Sequence, residues 1–169
     1  LKHCIESVIT QDYQDIEYIL IDGNSKDNTV EIIKAYNDKI YKWISEPDKG
    51  IYDAMNKGIQ LATGELIGTL NSDDFFADSG VISRVVKAIQ ATGKQILFAD
   101  VDFVDSANTS KIVRHYSSKY FSPWLFRLGF QPAHPTFYTF RNNFKKYGFY
   151  RTDLKIAGDF ELLLRFIYK

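Results

Sequence analysis

Apolar positions along the chain follow two alternating spacings. Segments in which apolar residues recur every three or four positions are typical of amphipathic helices, and they are separated by short continuous apolar runs of strand length. This alternation over the first hundred residues predicts an α/β fold in which helices cover both faces of a mainly parallel, mixed sheet, a three-layer α/β/α sandwich. The strand candidates are IEYILID (16–22), IYKWISE (40–46), ELIGTL (65–70) and QILFAD (95–100).

The second half of the chain continues the pattern with shorter elements. A half-exposed strand, a short helix that begins at Ser122-Pro123, another strand, a short helix and a final amphipathic helix are predicted in that order. We find no repeat or linker, and both ends of the sequence fall within helical patterns. We therefore expect residues 1–169 to form a single domain that is trimmed at both ends. The corresponding segments are KIVRHY (111–116), PTFYTF (135–140), RNNFKKY (141–147) and residues 156–167.

Composition excludes several classes of protein. Hydrophobic residues make up 45% of the 169 residues, so a sizeable core can form. Lys+Arg and Asp+Glu both number 21, and this balance provides no net field that would attract nucleic acid. The single cysteine, Cys4, cannot form an internal disulfide, and no apolar run reaches the ~20 residues that a membrane span needs. We expect a cytoplasmic protein, with the inner face of the membrane as the alternative location.

Acidic residues follow several of the predicted strands. Asp22, Asp73 and Asp100 each lie at or just beyond a strand end, where open α/β sheets bind ligands. A single aspartate in this place more often forms a turn. The run Asn71-Ser72-Asp73-Asp74 is different, because two adjacent carboxylates in a crevice favour a hard divalent cation such as Mg²⁺ or Mn²⁺. Asp74 can alternatively face away, which leaves Asp73 as the direct ligand.

Asp73 and Asp74 would supply only part of the coordination shell of such a cation. Substrate phosphates and water commonly fill the remaining positions, which points to a diphosphate-bearing substrate. Phosphate-binding loops of the GxxxxGK[ST] and GxGxxG types are absent from the sequence.

Three segments of the sequence resemble a known family. YILIDGNSKDNT, SEPDKGIYDAMNKGIQLATGELIGTLNSDD and IAGDFELLLRF are similar to segments of family-two glycosyltransferases with the glycosyltransferase-A fold, among them bacterial capsule, exopolysaccharide and lipopolysaccharide enzymes.

The resemblance implies roles for individual residues in binding a nucleotide sugar. Asp22 matches the acid that contacts the base or ribose, and Lys49, Gly50 and Asn56 fall in the segment that borders the nucleotide. Lys49 can equally be a solvated turn residue. A nucleotide-diphosphate sugar, with a UDP-sugar favoured, is the expected donor.

The resemblance also implies a metal motif and a catalytic base. Asn71-Ser72-Asp73 matches the Asp-x-Asp motif, with Asn71 and Ser72 against the nucleotide sugar and Asp73 and Asp74 as the metal residues. Asp159 matches the catalytic aspartate of inverting members, although an aspartate at a helix start is otherwise a cap. The expected cofactor is Mn²⁺ or Mg²⁺.

This sequence departs from the family pattern at three places. Asn71 replaces the first acid of the metal motif, and Gly158 replaces the glutamate that precedes the base. The first strand of the family, normally central in the sheet, would lie before Leu1. We therefore expect unpaired backbone groups and exposed apolar surface beside that gap, and weak donor binding by residues 1–169 alone.

Two further residues are candidates for acceptor binding. His134 lies between two prolines at a strand entry and can bind acceptor, complete a metal shell or be merely structural. Trp124 lies in the aromatic segment YFSPWLFRLGF (120–130), which is either a helix packed on the sheet, an acceptor platform or a membrane-surface contact. The expected acceptor is a saccharide or lipid-linked saccharide.

Three functions fit these observations. The first is a metal-dependent, inverting hexosyltransferase that acts in cell-surface polysaccharide synthesis. The second is a sugar-1-phosphate nucleotidyltransferase, which shares a similar sheet but needs a glycine- and arginine-rich N-terminal loop that is not visible in this sequence. The third is a non-catalytic remnant that binds nucleotide sugars.

Overall fold

The structure is a computed structural model that describes residues 1–168. Helices and strands alternate through most of it, and three short 3₁₀ helices lie before the last strand. The helices are α1 (Lys2–Ile9), α2 (Thr29–Ala35), α3 (Ile51–Leu61), α4 (Val81–Thr92), α5 (Arg141–Tyr147) and α6 (Gly158–Tyr168). The strands are β1 (Ile19–Asp22), β2 (Lys42–Ser45), β3 (Leu66–Gly68), β4 (Ile96–Leu97), β5 (Val101–Val104), β6 (Ile112–Tyr116) and β7 (Tyr138–Phe140). The 3₁₀ helices are Asn37–Lys39, Pro123–Leu128 and His134–Thr136.

Strand pairing is mixed, as the predicted fold class requires. β1 and β2 are parallel, whereas β7 lies between β3 and β4 and is antiparallel to both. β5 and β6 form a separate antiparallel hairpin. The α/β fold with a mixed sheet is thus confirmed, although the parallel part is smaller than the sequence pattern alone suggests.

Alternating side chains explain why helices cover both faces of the β3–β7–β4 sheet. Ile67 and Phe137 belong to a buried cluster on one face, formed mainly with α3, α5 and α6. Their neighbours in the sequence, Leu66 and Tyr138, pack with α4 on the other face. Successive residues of an extended chain point to opposite faces, so each segment contributes to two separate cores.

The predicted strand 95–100 is much shorter in the structure, and its last residue has a different role. After β4 the chain leaves the ladder, because the carbonyl of Ala99 accepts hydrogen bonds from the hydroxyls of Ser118 and Thr136. Asp100 accepts hydrogen bonds from Ser117 and from the backbone of Ser118. Asp100 therefore closes the base of the β5–β6 hairpin and is not a ligand-site carboxylate.

A cleft of about 1050 Å³ separates β1 from β3. Ile19 and Ile21 line one side, and residues 66–71 line the other. Within residues 1–168, β1 pairs only with β2 and β3 only with β7, so the strand edges beside this cleft are unpaired. The gap agrees with a fold that lacks the first strand.

Gly68 lies close to the ring of Tyr138, and this contact can be tested by a stability measurement. It pairs directly with Tyr138, and a Cβ at this position would lie 2.4 Å from the tyrosine ring. Because Tyr138 is buried, its ring has little room to move, and Gly68→Ala is expected to lower the free energy of unfolding by about 1–3 kcal/mol. Thermal or urea unfolding measures the loss. Gly64→Ala is the control, since its nearest neighbour would lie 3.5 Å away, and equal stability of the two variants would contradict the prediction.

Candidate active-site cleft

Asp73, His134 and Asp159 come from distant parts of the sequence and line the same cleft. Asp73 follows β3, His134 begins the 3₁₀ helix before β7, and Asp159 lies in the first turn of α6. Much of the remaining lining is apolar and comes from α3, α4 and the strands. A concave, mostly apolar surface with a few convergent polar groups is the usual form of a ligand site.

The acidic loop after β3, residues 71–74, places its two carboxylates in different environments. Asn71 donates a hydrogen bond from its amide nitrogen to Oδ2 of Asp74 at 3.0 Å, and the Asp74 amide donates to the Asn71 carbonyl. Asp74 is therefore partly buried and held within the loop, whereas Asp73 is exposed on the cleft wall. Helix α1 supports the loop through Cys4, which contacts the Asn71 carbonyl, and Ser7, which accepts a hydrogen bond from the Phe76 amide.

The electrostatics of this loop favour a positive ligand. Burial raises the pKa of Asp74, and repulsion by Asp73 adds to the shift, while the Asn71 hydrogen bond and the charge of His134 oppose it. No group of three His, Cys, Asp or Glu side chains within residues 1–168 is arranged as a metal centre. The loop nevertheless fits a hard cation, because Asp73 offers a carboxylate to the cleft and leaves other coordination positions for phosphate and water.

One carboxylate oxygen of Asp159 accepts a short hydrogen bond, whereas the other has only longer contacts. Its Oδ1 accepts a hydrogen bond from the Tyr52 hydroxyl at 3.0 Å. Its Oδ2 lies 3.4 Å from Nδ1 of His134 and accepts a long hydrogen bond of 3.5 Å from Gln131. The carboxylate is 16% exposed, which is enough for a hydroxyl group in the cleft to reach it.

Asp22 ends β1 but does not share the cleft wall. Its carboxylate is buried and accepts hydrogen bonds from the hydroxyls of Ser25 and Ser45, at 2.5 and 2.6 Å, and from the Ser25 amide. Burial opposes ionisation, but these hydrogen bonds outweigh it and lower the pKa of Asp22. Asp22 is therefore a charged, internally bonded group that orders the loop after β1.

The three residues expected to border the nucleotide, Lys49, Gly50 and Asn56, lie in different environments. Lys49 and Gly50 are exposed and lie beside the cleft lining, in the turn that begins the helix. Asn56 is buried, and its amide group donates to the carbonyl and accepts from the amide of Tyr150. Each polar atom of Asn56 thus binds the backbone of Tyr150 inside the protein, and this buried residue ties α3 to that segment.

The aromatic segment 120–130 is anchored at Phe126, half-buried at Phe121, Ser122 and Leu125, and exposed at its other residues. Phe126 is buried against the rings of Phe121 and Phe160. Trp124 is 56% exposed, and Tyr120, Leu128 and Phe130 are exposed to a similar or greater degree. The 3₁₀ helix Pro123–Leu128 therefore exposes Trp124 and Leu128 together with the cationic Arg127. Within the described residues, no helix is both long and apolar enough to cross a membrane.

Two residues beside Asp159 were missed by the sequence interpretation. Tyr52 lies inside the segment that carries the family resemblance, but its hydroxyl meets Asp159 across 107 positions of the chain, which no local pattern reveals. Gln131 precedes His134, and its buried side-chain oxygen has no hydrogen-bond partner in the described part of the chain. A buried acceptor without a partner is uncommon in folded proteins, which distinguishes Gln131 from its neighbours.

Known proteins resemble the chain in sequence. A glycosyltransferase of Mycobacterium tuberculosis, described as uncharacterized, is 40% identical over 94 residues, which cover 55% of this chain and 36% of that protein. A PGL/p-HBAD biosynthesis glycosyltransferase of Mycobacterium bovis is 31% identical over 105 residues, with 60% and 41% coverage. An uncharacterized glycosyltransferase of Rickettsia typhi matches 99% of this chain and 54% of its own length at 27% identity. The chain spans only part of each relative.

Solved structures share the fold. The crystal structure of S. aureus TarS covers 97% of this chain and 30% of TarS, with a TM-score of 0.75 at 18% identity. The structure of TarS 1–349 in complex with UDP covers 96% of this chain and 51% of that protein, with a TM-score of 0.73 at 17% identity. A family model described as glycosyl transferase family 2 matches residues 1–155. The chain belongs to glycosyl transferase family 2.

Proposed function

We propose that this chain is the catalytic domain of an inverting glycosyltransferase, which moves a hexose from a nucleoside-diphosphate donor to a hydroxyl acceptor. The observation that supports the proposal most is the shared cleft, in which an exposed carboxylate, Asp73, and a largely enclosed one, Asp159, face the same space. The exposed carboxylate suits a cation site, and the enclosed one suits a proton acceptor. Family membership gives the reaction class.

The chemistry follows from the roles of these two residues. An acceptor hydroxyl forms a bond to the anomeric carbon of the sugar as the bond from that carbon to the diphosphate oxygen breaks. Asp159 takes the proton of the attacking hydroxyl on Oδ2, the oxygen that is less tightly bound within the protein. His134 lies beside the same oxygen, where it can orient the acceptor or carry positive charge toward the phosphates.

Charge that develops on the departing diphosphate needs stabilisation. Asp73, with Asp74 behind it, would hold Mn²⁺ or Mg²⁺ at the cleft wall, and a cation bound there neutralises the leaving group. Asn71 and Ser72 lie in the same loop and would border the diphosphate or ribose. The UDP complex of TarS 1–349 supports a UDP-sugar as the donor by analogy of fold.

Exposed apolar residues bear on the choice of acceptor. Phe130 is 58% exposed and Ile156 is 84% exposed; Phe130 is adjacent to Gln131 in the sequence, and Ile156 is three residues before Asp159. Exposed apolar side chains of this kind suit a lipid-linked saccharide as the acceptor.

Incubation of the intact protein with a panel of nucleotide sugars and Mn²⁺ tests the proposal. Release of nucleoside diphosphate from one donor, increased by an acceptor and with inversion at the anomeric carbon, is the expected result. Release of pyrophosphate from a sugar phosphate and a nucleoside triphosphate would instead indicate a nucleotidyltransferase. Donor binding without turnover on any acceptor would indicate a sugar-nucleotide-binding remnant.

Charge and exposure favour a peripheral membrane contact through the aromatic segment 120–130. Residues 106–152 contain no Asp or Glu, so every formally charged side chain around the segment is basic, whereas the chain as a whole has no net charge. Lys119 stacks on the ring of Tyr120 at 5.4 Å, and Arg127 is exposed beside Trp124. Exposed aromatic and cationic side chains together bind the interface of anionic bilayers.

The double variant Trp124→Ala/Arg127→Ala is therefore expected to weaken binding to anionic vesicles by at least about tenfold. Co-sedimentation with phosphatidylglycerol-containing vesicles, compared with phosphatidylcholine alone, measures the change. Tyr41→Ala/Lys42→Ala removes an exposed aromatic residue and a cation elsewhere, and it should bind like the parent. Unchanged vesicle binding by the Trp124/Arg127 variant would remove the membrane contact from the proposal.

A further inference from the structure

The Tyr52 hydroxyl lies between the backbone of α6 and the carboxylate of Asp159. The amide of Gly158 donates a hydrogen bond to the tyrosine oxygen at 2.9 Å, and that oxygen is 3.0 Å from Oδ1 of Asp159. An amide nitrogen can only donate, so the hydroxyl hydrogen remains available for the carboxylate. Tyr52 therefore donates to Asp159 while its oxygen is fixed by Gly158.

The ring of Tyr52 is itself held in place. It stacks on the ring of Tyr150, with centroids 5.6 Å apart and planes within 10°. The backbone of Tyr150 is bound at both its amide and its carbonyl by the buried Asn56, one helical turn beyond Tyr52 on α3. Asn56, Tyr150 and Tyr52 thus form a connected support that ends at Asp159.

Gly158 provides the space for this arrangement. A Cβ on Gly158 would lie 2.6–2.9 Å from three atoms of the Tyr52 ring. Gly158 is not among the residues with positive φ, so the need for glycine is steric. The glutamate that the family resemblance leads one to expect at position 158 would occupy the place of the Tyr52 ring.

We propose that Tyr52 is a positioning residue, which binds Oδ1 of Asp159 so that Oδ2 stays directed toward the acceptor. This inference rests on the proposed function, in which Asp159 accepts the proton. Burial raises the pKa of Tyr52, and the neighbouring Asp159 carboxylate contributes to the shift, so the hydroxyl remains a donor at neutral pH. The two contacts to Oδ2 are longer than the contact to Oδ1, which leaves Oδ2 as the reactive oxygen.

Tyr52→Phe tests the inference in the intact protein, because phenylalanine keeps the ring and its stacking and removes only the hydroxyl. The expected result is a fall in kcat of about ten- to a hundredfold, the worth of a hydrogen bond to a charged group. The donor KM and the affinity for UDP should remain within about twofold, because Tyr52 acts through Asp159 and not on the donor. Tyr147→Phe, a partly buried tyrosine on α5, is the matched control and should leave kcat unchanged.

The Asp159→Asn variant and the double variant Tyr52→Phe/Asp159→Asn separate the inference from the proposed function. If Tyr52 acts through Asp159, the double variant loses no further turnover than Asp159→Asn alone. An unchanged kcat for Tyr52→Phe, or the same fractional loss in both backgrounds, would overturn the positioning role. Full turnover by Asp159→Asn alone would show instead that the proposed base is wrong, and the positioning role would fail with it.

Discussion

Asp159→Asn is expected to reduce turnover by about a hundred- to ten-thousandfold, the usual contribution of a general base. Asparagine preserves the shape of the side chain but cannot accept the acceptor's proton. Donor affinity should be unchanged, because Asp159 faces the acceptor side of the cleft in the proposed chemistry. Single-turnover assays with donor and acceptor, together with UDP titrations, measure the two effects separately.

Asp153→Asn is the matched control for this variant. Asp153 is an exposed carboxylate that pairs with Arg151 shortly before α6, and its loss should leave turnover intact. If Asp159→Asn kept the parental rate, another group would have to accept the proton, and His134 would be the first candidate because it lies beside the same oxygen.

Asp73→Asn is expected to weaken Mn²⁺-dependent UDP binding by more than about a hundredfold. Loss of a group that only supports a metal ligand typically lowers metal affinity ten- to a hundredfold. Asp73 should cost more, because it is the carboxylate of this loop that lines the cleft directly. Calorimetric titration of UDP in the presence of Mn²⁺, repeated with a chelator, gives the metal-dependent part of the affinity. The chelator should affect the parent strongly and Asp73→Asn hardly at all.

Asp74→Asn distinguishes the two neighbouring carboxylates. Its side chain is already bound to Asn71 inside the loop, so we expect a smaller loss of affinity than for Asp73→Asn. Equal losses would mean that both carboxylates bind the cation, as the sequence alone allowed. Parental affinity in both variants would exclude a metal role for this loop.

The sequence predicted most helices and the fold class, because helical spacing and strand-length apolar runs are local signals. Helix α4 is an example, since its apolar stripe and the left-handed Gly93 that ends it are both visible in the sequence. The position of β7 between β3 and β4 was not predictable in this way, because it depends on pairing between residues about 70 positions apart. The hairpin strand β5 was also missed, because it has only four residues and none of their side chains is fully buried.

The sequence predicted those candidate site residues whose side chains belong to a recognisable motif. Asp73 and Asp159 were identified from motif resemblance, and the structure places them in one cleft. Asn56 was assigned to the nucleotide, yet its amide group binds Tyr150. Such internal hydrogen bonds depend on tertiary contacts, which a stretch of sequence does not record.

The steric relation between Tyr52 and Gly158 constrains how this family can diversify. Because a Cβ at position 158 and an aromatic ring at position 52 would occupy the same space, neither site can enlarge independently of the other. Homologues with an acidic residue at the position of Gly158 should therefore carry a smaller residue at the position of Tyr52. The two positions should change together across the family, and an intermediate with both large side chains should be rare because it is poorly folded.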